Sequence, residues 1–477
     1  MSSSSSSPSN PFHARWAATP MPGESEEQTA ARVNLLQEAV KRSKEIDENL
    51  QEAKKVIDRR KKAVRILLLG QSESGKSSVL KNFQLAFAPA HFESERPSWK
   101  LIIQLNLISN IRTVIEALSL EWDSPAYATP TASPVVRNFR RIRLSLSPLF
   151  IIEANSWRML APESDTRIPS TCVRAGSGWK AFLQSHRYHR SPPRSPSRKE
   201  APGSQPADPE TEGVPALRRE SHSSLNFESD PSQALIAQRE EILWLWKDAE
   251  IQKTLQKRHF KVENMSGFFM NDIDRIARSD YLPTDSDIIR ARLRTIGADE
   301  HHFVIEKGTD SVASDVFIAD VGGCKSQRAS WVPYFDDVQA ILFLAPLAFN
   351  QTLEEDPRMN RLEDSLNLWR EICANRLLSG ANLILFFNKK DVLAATLSAG
   401  VQVVRYVPSF GDAPNDITSV TKYFKDKFKS YHKRLSPVPR PFMCYETSAI
   451  DIKSMTVLLV GVRETILRQY LKSGEMI

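Results

Sequence analysis

Short, continuous apolar runs recur in the second half of the chain and alternate there with segments of helical periodicity. From Phe303 onward these runs are Asp315–Ile318, Ala340–Leu344 and Leu383–Phe387, and a similar run, Val64–Leu69, lies nearer the N-terminus. Apolar runs of this length without polar alternation are typical of strands that are buried on both faces. Their alternation with helical segments predicts a mostly parallel sheet covered by helices.

Helical periodicity dominates two further segments. The first covers residues 25–62, and Ser25 and Gln28 have the spacing of a capping box at its start. The second begins near Ala234 and continues through Trp246. One face of the first helix carries a stripe of apolar residues at helical spacing, namely Ile46, Leu50, Ala53 and Ile57.

Two segments lack the apolar residues that a folded core requires. Residues 1–24 are rich in Ser and Pro, and Ser191–Pro215 contains seven prolines in twenty-five residues. Such segments cannot bury enough apolar surface to offset the entropy of ordering them. We therefore expect disorder in residues 1–24 and a disordered insertion at about 160–232.

Composition narrows the function classes without selecting one. The 41% of hydrophobic residues excludes a chain that is disordered throughout, and the net charge of +7 permits an anionic partner without indicating nucleic acid. No apolar run approaches the ~18 residues that cross a bilayer, and no apolar segment of a secretory signal follows the Ser-rich start. The scattered cysteines, without a CxxC pair, favour a reducing compartment and argue against structural zinc.

A phosphate-binding loop follows the first apolar run. Residues Gly70–Ser77 read GQSESGKS and fit the pattern G-x-x-x-x-G-K-[ST], between a strand and a helical segment. The glycines allow backbone N–H groups to surround phosphate oxygens, and the following helix N-terminus adds positive potential. In this pattern Lys76 reaches the β- and γ-phosphates and the Ser77 hydroxyl ligates Mg²⁺.

A second motif selects the base. Asn388-Lys389-Lys390-Asp391 follows the strand Leu383–Phe387, in the order N-K-x-D. A carboxylate at Asp391 accepts hydrogen bonds from both N1–H and the exocyclic amine of guanine, a donor pair that adenine lacks. Asp320 comes at the end of another predicted strand, where its carboxylate can hold Mg²⁺ through a water molecule. The glycine pair Gly322-Gly323 that follows lets a backbone N–H approach the γ-phosphate. The predicted ligand is GTP or GDP.

Together these motifs and their order resemble heterotrimeric G-protein α subunits over roughly residues 40–125 and 234–477. The stretches that carry the resemblance are Arg42–Leu50, the loop GQSESGKS, Leu245–Glu250, Asn271–Pro283, Asp287–Gly297, Asp320–Trp331, Asn388–Asp391 and Thr447–Ala449. A P-loop kinase or ATPase is a distant alternative, disfavoured by Asp391.

The resemblance implies an α/β Ras-like P-loop GTPase domain, interrupted by an all-α helical domain, with the nucleotide in the cleft between them. The expected division is a disordered N-terminus at 1–24, an N-terminal helix at 25–62, the Ras-like domain at 63–88 and 283–477, and the helical domain at 89–282. The insertion at about 160–232 then lies in the helical domain.

The resemblance also assigns roles to individual residues. Arg292 is the arginine finger supplied in cis, Thr295 is the second hydroxyl ligand of Mg²⁺, and Glu73 pairs with Arg292. Arg328 is expected to pair with Asp364 when GTP is bound. The nucleotide-binding set is Gly70, Glu73, Ser74, Gly75, Lys76, Ser77, Ser78, Arg290, Arg292, Thr295, Asp320, Gly323, Asn388, Lys389, Asp391 and Ala449. The catalytic set is Arg292, Cys324 and Glu73, and the metal ligands are Ser77 and Thr295.

Three positions depart from the family pattern. Cys324 stands where the family usually has a glutamine that positions the attacking water, and a thiol is a weak hydrogen-bonding partner for that task. Ser2 stands where myristoylation needs glycine, and the first cysteine is Cys172, so we expect neither N-terminal lipid anchor. Ile296 stands where the family often has a second threonine that accelerating proteins contact.

Two functions from different classes remain open at this point. One is a signalling switch that binds GTP and GDP with Mg²⁺, hydrolyses GTP slowly and couples a membrane receptor to effectors. The other is a GTP-loaded interaction scaffold with little or no hydrolysis. The resemblance implies a βγ dimer, a receptor that contacts the tail Leu471–Ile477 and an effector at the second switch. It also implies a cytoplasmic location, peripheral on the inner face of the plasma membrane through partners, and no nucleic acid.

Overall fold

The computed structural model describes residue 23 and residues 25–123, 133–160, 172–174, 230–257, 265–304 and 315–474. The chain divides into two units, Met1–Ala63 and Val64–Ile477. The expected disorder in residues 1–24 lies almost wholly outside the described residues.

The first unit contains a single described helix, α1 (Glu26–Lys62). Its N-terminus has the predicted capping box: the backbone N–H of Ser25 donates to Gln28 Oε1 at 3.2 Å, and that of Gln28 donates to Ser25 Oγ at 3.3 Å. On the predicted apolar stripe, Ile46 is 57% and Leu50 62% exposed.

A six-stranded sheet is the centre of the second unit. Its strands are β1 (Val64–Leu69), β4 (Ala298–Val304), β5 (Asp315–Val321), β6 (Ala340–Pro346), β7 (Asn382–Asn388) and β8 (Met443–Glu446). They lie in the order β4-β5-β1-β6-β7-β8, and only the β4–β5 pair is antiparallel. The predicted strands and their parallel arrangement are confirmed.

Helices cover both faces of this sheet, which explains why its central strands are continuously apolar. In β1, Leu67 and Leu69 face one hydrophobic core, whereas Ile66 and Leu68 face another. The covering helices include α2 (Lys76–Phe87), α11 (Arg361–Ala374), α12 (Lys390–Ser398), α13 (Ile417–Leu435) and α14 (Ile452–Gly474). Because β1, β5, β6 and β7 are parallel, the loops that follow them meet at one edge of the sheet.

A separate helical core contains the remaining described α-helices, whatever their length. They are α3 (Pro89–Trp122), α4 (Pro134–Ser145), α5 (Ser147–Leu160), α6 (Pro231–Ala237), α7 (Arg239–Lys247), α8 (Ala249–Lys257), α9 (Ile273–Ile276) and α10 (Asp285–Arg290). The predicted domain boundary at residue 282 stays a prediction, and Ile288 and Ala291 also pack in this core.

Helix α3 is the central helix of that core. Among the described residues it is the one helix that is long and apolar enough to cross a membrane by length and composition alone. However, 72% of its most apolar stretch is buried inside the protein. Buried Gln104, Asn106 and Asn110 interrupt its apolar surface, and each of them donates or accepts hydrogen bonds within the second unit.

Three residues of the predicted disordered insertion form a strand instead. Cys172–Arg174 is β2, and it pairs in parallel with β3 (Arg294–Ile296). The expectation of disorder is therefore wrong for these residues, because an edge strand supplies their backbone hydrogen bonds from more than a hundred positions away. For residues 161–171 and 175–229 the expectation lies outside the described residues.

Helix α10 leads from the helical core into the region beside the sheet, and a buried carboxylate anchors it. Asp287 is fully buried and accepts hydrogen bonds from both Nη atoms of Arg275, at 2.5 and 2.8 Å, and from the backbone N–H of Thr284 at 2.9 Å. Burial alone would raise the pKa of Asp287, but the bonds from Arg275 and Thr284 outweigh it and lower the pKa to about 2. Asp287 is thus held ionised in the folded protein.

Replacement of this carboxylate should destabilise the fold in a pH-dependent way. The pKa of Asp287 is lower in the folded than in the unfolded state, so its ionisation stabilises the fold above pH ~3.8 and this stabilisation is lost as the pH falls toward 2. We expect Asp287→Asn to lower the free energy of unfolding at pH 7 by about 2 kcal/mol. Urea unfolding at pH 7 and pH 3 should show the difference from wild type shrinking by about half at the lower pH. Asp412→Asn, at an exposed loop position away from this helix, is the matched control, and an equal effect there would contradict the assignment.

Candidate functional site

The loop after β1 is wound around a buried lysine. Gly70 and Gly75 have positive φ angles of 144° and 98°, and Lys76 begins α2. The Lys76 Nζ donates to the carbonyl oxygens of Gly70 at 2.9 Å and Gln71 at 3.0 Å. A Cβ on Gly70 would lie 2.5 Å from the Leu344 carbonyl oxygen, so only glycine fits. The predicted phosphate-binding loop is present as strand, loop and helix.

A hydroxyl and a carboxylate meet beside this lysine. The Ser77 hydroxyl donates to Asp320 Oδ2 at 2.8 Å, and Asp320 lies near the end of β5. Burial raises the pKa of Asp320 and lowers that of Lys76, and the opposite charge of each partner opposes the shift. Oxygen donors of this kind are the ligands that Mg²⁺ prefers, so the residues fit such an ion. The side chain of Thr295, the other predicted ligand, lies outside the described part of the chain.

The segment after β5 packs directly on the phosphate-binding loop. A Cβ on Gly323 would lie 2.5 Å from the backbone nitrogen of Ser72 and from the carbonyl carbon of Gln71, so this close approach also requires glycine. Cys324 follows, half-buried, and precedes the 3₁₀ helix Lys325–Tyr334. Arg328 in that helix pairs with Asp364 at 2.6 Å. That this pairing depends on bound GTP stays a prediction.

The predicted base loop follows β7. Asn388 joins three loops: its Nδ2 donates to the Ser74 carbonyl at 2.8 Å, and its Oδ1 accepts from the backbone N–H of Ala449 at 3.0 Å. Asp391 Oδ1 accepts from the Ser448 hydroxyl at 2.7 Å. Lys389 adopts a left-handed conformation, with φ 60°, and burial lowers its pKa to about 8. The side chains of Asp391 and Lys389 therefore both lie at the cavity wall.

In the phosphate-binding loop, Glu73 is surrounded by arginines. Its two carboxylate oxygens pair with Arg292 at 2.5 Å and with Arg361 at 2.7 Å, and Arg294 lies 3.7 Å away. Burial would raise the pKa of Glu73, but the charges of Arg292, Arg361 and Lys389 outweigh it and lower the pKa. Glu73 has φ 61°, which is unfavourable for a residue other than glycine, and these ion pairs hold it there. The predicted contact between Glu73 and Arg292 is present.

Arg290 is oriented differently from Arg292. Its Nη2 donates to Asp272 Oδ2 at 3.0 Å and to Asp287 Oδ1 at 3.1 Å, so two carboxylates of the helical core occupy its guanidinium. It nevertheless contributes to the wall of the same cleft. Its direct role at a nucleotide stays a prediction.

These groups surround one cavity of about 620 Å³. Most of the predicted site residues line it, namely Glu73, Gly75, Lys76, Ser77, Ser78, Arg290, Arg292, Asp320, Gly323, Cys324, Asn388, Lys389, Asp391 and Ala449. Gly70 and Ser74 are not among the described residues that line the cavity, but each contacts one that is. The Gly70 carbonyl accepts a hydrogen bond from Lys76, and the Ser74 carbonyl accepts one from Asn388. The cavity thus brings together the predicted phosphate-binding and base-binding residues and the arginines.

Comparisons with known proteins agree with this geometry. The family model of the G-protein alpha subunit matches residues 40–466. The chain is 30% identical to the guanine nucleotide-binding protein alpha-4 subunit of Mycosarcoma maydis, over 86% of this chain and 83% of that protein. It is 26% identical to the G(o) subunit alpha of Geodia cydonium and 27% identical to a guanine nucleotide-binding protein subunit alpha of Candida albicans (strain WO-1), over 87% of this chain and 90% of each of those proteins.

The chain belongs to the G-protein α subunit family. Membership confirms the predicted fold class, a Ras-like GTPase domain with a helical domain, and makes the chain a GTP-binding signalling protein of the GTPase class. The roles of individual residues in this α subunit stay predictions.

Sequence reasoning missed several residues that build the site. Arg361, at the start of α11, pairs with Glu73 and donates to the Ser72 carbonyl at 3.0 Å. Asn106 of α3 bonds both the backbone N–H and the carbonyl of Arg292, at 2.7 and 2.9 Å. Neither residue belongs to a local motif, and both reach the site across more than 180 positions of sequence. A motif search along the chain has no signal for them.

Replacing one carboxylate oxygen of Asp391 by an amide nitrogen should change which base this α subunit prefers. We expect Asp391→Asn to weaken GTP relative to xanthosine triphosphate by at least tenfold, because the xanthine C2 carbonyl accepts from an amide donor whereas the guanine amine is left without an acceptor. Competition of GTP, xanthosine triphosphate and ATP for a bound fluorescent nucleotide measures the shift. Asp412→Asn, at an exposed loop position, is the matched control. Equal competition by ATP and GTP for the wild-type site would contradict the base assignment.

Proposed function

We propose that this α subunit is a guanine nucleotide switch in which GTP hydrolysis is slow because Cys324 cannot orient the attacking water. The observation that carries the proposal is the position of Cys324, which lines the nucleotide cavity directly after Gly323. The family usually has a glutamine there, whose amide both donates and accepts hydrogen bonds on a longer arm.

The other parts of the proposed machinery are electrostatic. Hydrolysis forms a bond between the γ-phosphorus and a water oxygen and breaks the bond to the β–γ bridging oxygen, while charge spreads over the γ-phosphoryl oxygens. We assign Lys76 and Arg292 to stabilise that charge, and Glu73 to hold Arg292 at the cavity. Mg²⁺, bound through Ser77 and Thr295, would supply further neutralisation of the phosphates. These charges act on the phosphates whether or not the water is oriented.

The same observation favours a second candidate function. If water orientation fails entirely, GTP stays bound and the α subunit acts as a GTP-loaded interaction scaffold that does not cycle. Both functions use the same nucleotide site, so only the rate of hydrolysis separates them.

Restoring the glutamine should accelerate hydrolysis. We expect Cys324→Gln to raise the single-turnover rate by at least tenfold, because one well-placed catalytic contact is worth ~10²–10³ in rate. Arg292→Ala in that background should lower the rate again, since both groups act on one transition state. Single-turnover hydrolysis of labelled GTP by the full-length protein measures both changes.

Cys324→Ser is the matched control, because a hydroxyl is as short as the thiol and should give no comparable increase. Nucleotide affinity should change little in the two Cys324 variants. A stimulation by Cys324→Gln of less than about threefold, ~0.65 kcal/mol, would show that water orientation does not limit this site.

The expected partners follow from family membership and remain proposals. We propose that α1 binds a βγ dimer, that the tail Leu471–Ile477 contacts a membrane receptor and that the second switch contacts an effector. Residues 475–477 of that tail lie outside the described residues. Through these partners the protein would be peripheral on the inner face of the plasma membrane.

Charges on the exposed stripe of α1 should abolish βγ binding. We expect the double variant Ile46→Asp/Leu50→Asp to capture at least tenfold less of a purified βγ dimer, because each buried carboxylate would face an apolar interface without a partner. Val40→Asp on a different face of the same helix, where Val40 is 50% exposed, is the matched control. Equal capture by all three proteins would remove the stripe from the interface.

A further inference from the structure

Glu354 contacts two arginines of the nucleotide cavity from outside the cavity wall. It lies in the loop between β6 and α11, and its Oε2 accepts from Arg292 Nη2 at 3.1 Å and also from Arg294 Nη2. Both arginines line the cavity, whereas Glu354 is not among the described residues that do. None of the sequence motifs includes it.

The Nη2 nitrogen of Arg292 therefore pairs with two carboxylates. The same Nη2 pairs with Glu73 Oε1 at 2.5 Å and with Glu354 Oε2. The side chain of Arg292 is 17% exposed and that of Glu354 is 53% exposed. Arg294 pairs with the same Glu354 oxygen, so it holds that carboxylate beside Arg292. The carboxylates of Glu73 and Glu354 therefore both offset the positive charge of Arg292.

We propose that Glu354 is a positioning residue that restrains Arg292 and thereby prolongs the GTP-bound state. Its carboxylate competes with the γ-phosphoryl oxygens for the Arg292 guanidinium. Negative charge on those oxygens is greatest in the transition state, so this competition lowers the stabilisation of the transition state by Arg292. The inference rests on the proposed function, because it requires Arg292 to act on the transition state.

The partners of Glu354 and its exposure set the size of the effect. Glu73 is the more buried carboxylate and the nearer to Arg292, so it still holds the guanidinium at the cavity when Glu354 is neutralised. Glu354 is half exposed, and solvent screens ion pairs of this kind. A change of a few-fold in rate is therefore expected, not the loss of activity that removal of Arg292 brings.

The test replaces Glu354 by its neutral isostere in the Cys324→Gln background, where hydrolysis is fast enough to compare. Glu354→Gln should raise the single-turnover rate about threefold. Glu371→Gln, at an exposed position on α11, makes the same chemical change away from the cavity and should leave the rate unchanged. In a protein that also carries Arg292→Ala, Glu354→Gln should have no effect, because Glu354 acts through Arg292.

A binding readout separates positioning from a general structural role. GDP with aluminium fluoride mimics the transferring phosphoryl group, so Glu354→Gln should tighten its binding by the same factor while the affinity for GDP alone stays constant. An unchanged or lower rate with Glu354→Gln, in a protein where Arg292→Ala still slows hydrolysis, would overturn the inference and leave the proposed function intact. A rate that is insensitive to Arg292→Ala would overturn both.

Discussion

The buried ammonium of Lys76 is the constraint around which the site is built. A buried cation is costly unless it is paired and hydrogen-bonded, and Lys76 is bonded to two carbonyls of its own loop and faces Asp320. The loop can bend this closely only because Gly70 and Gly75 adopt positive φ angles and Gly323 leaves room for its backbone. Lys76 also lines the cavity, where the phosphates of a nucleotide would compensate its charge.

A second ionic centre connects the helical core to the sheet. Glu73 belongs to the loop after β1, Arg361 to α11, and Arg292 to the segment after α10, whose backbone Asn106 of the helical core holds. The Glu73 carboxylate pairs with both Arg292 and Arg361, so movement of either arginine away from Glu73 would leave a charged side chain without its partner. Glu73 and Arg292, which connect these segments, also line the cavity.

Much of this could be predicted from sequence because the signals are local. The strands, the phosphate-binding loop and the base loop each lie within a few consecutive residues, and the structure confirms the strands and the spacing of both loops. Arg361, Asn106 and Glu354 gave no signal because their partners lie far away in sequence and the pairs form only in the folded chain. The strand Cys172–Arg174 was missed for the same reason, since its partner strand begins at Arg294. The roles of the site residues in binding and hydrolysis remain predictions.

The departure at Cys324 separates two tasks that a single site usually performs together. Stabilising charge on a phosphoryl group requires fixed cations, and this chain retains them in Lys76 and Arg292 at the cavity wall. Orienting a water molecule requires a donor and an acceptor on one side chain, and Cys324 supplies only weak versions of both. In the proposed function, phosphate binding depends on these cations and base selection on Asp391, whereas hydrolysis, and with it the lifetime of the GTP-bound state, requires an oriented water as well as Arg292. On this proposal, a change at position 324 alters how long the GTP-bound state lasts, while the groups proposed to bind the phosphates and the base stay the same.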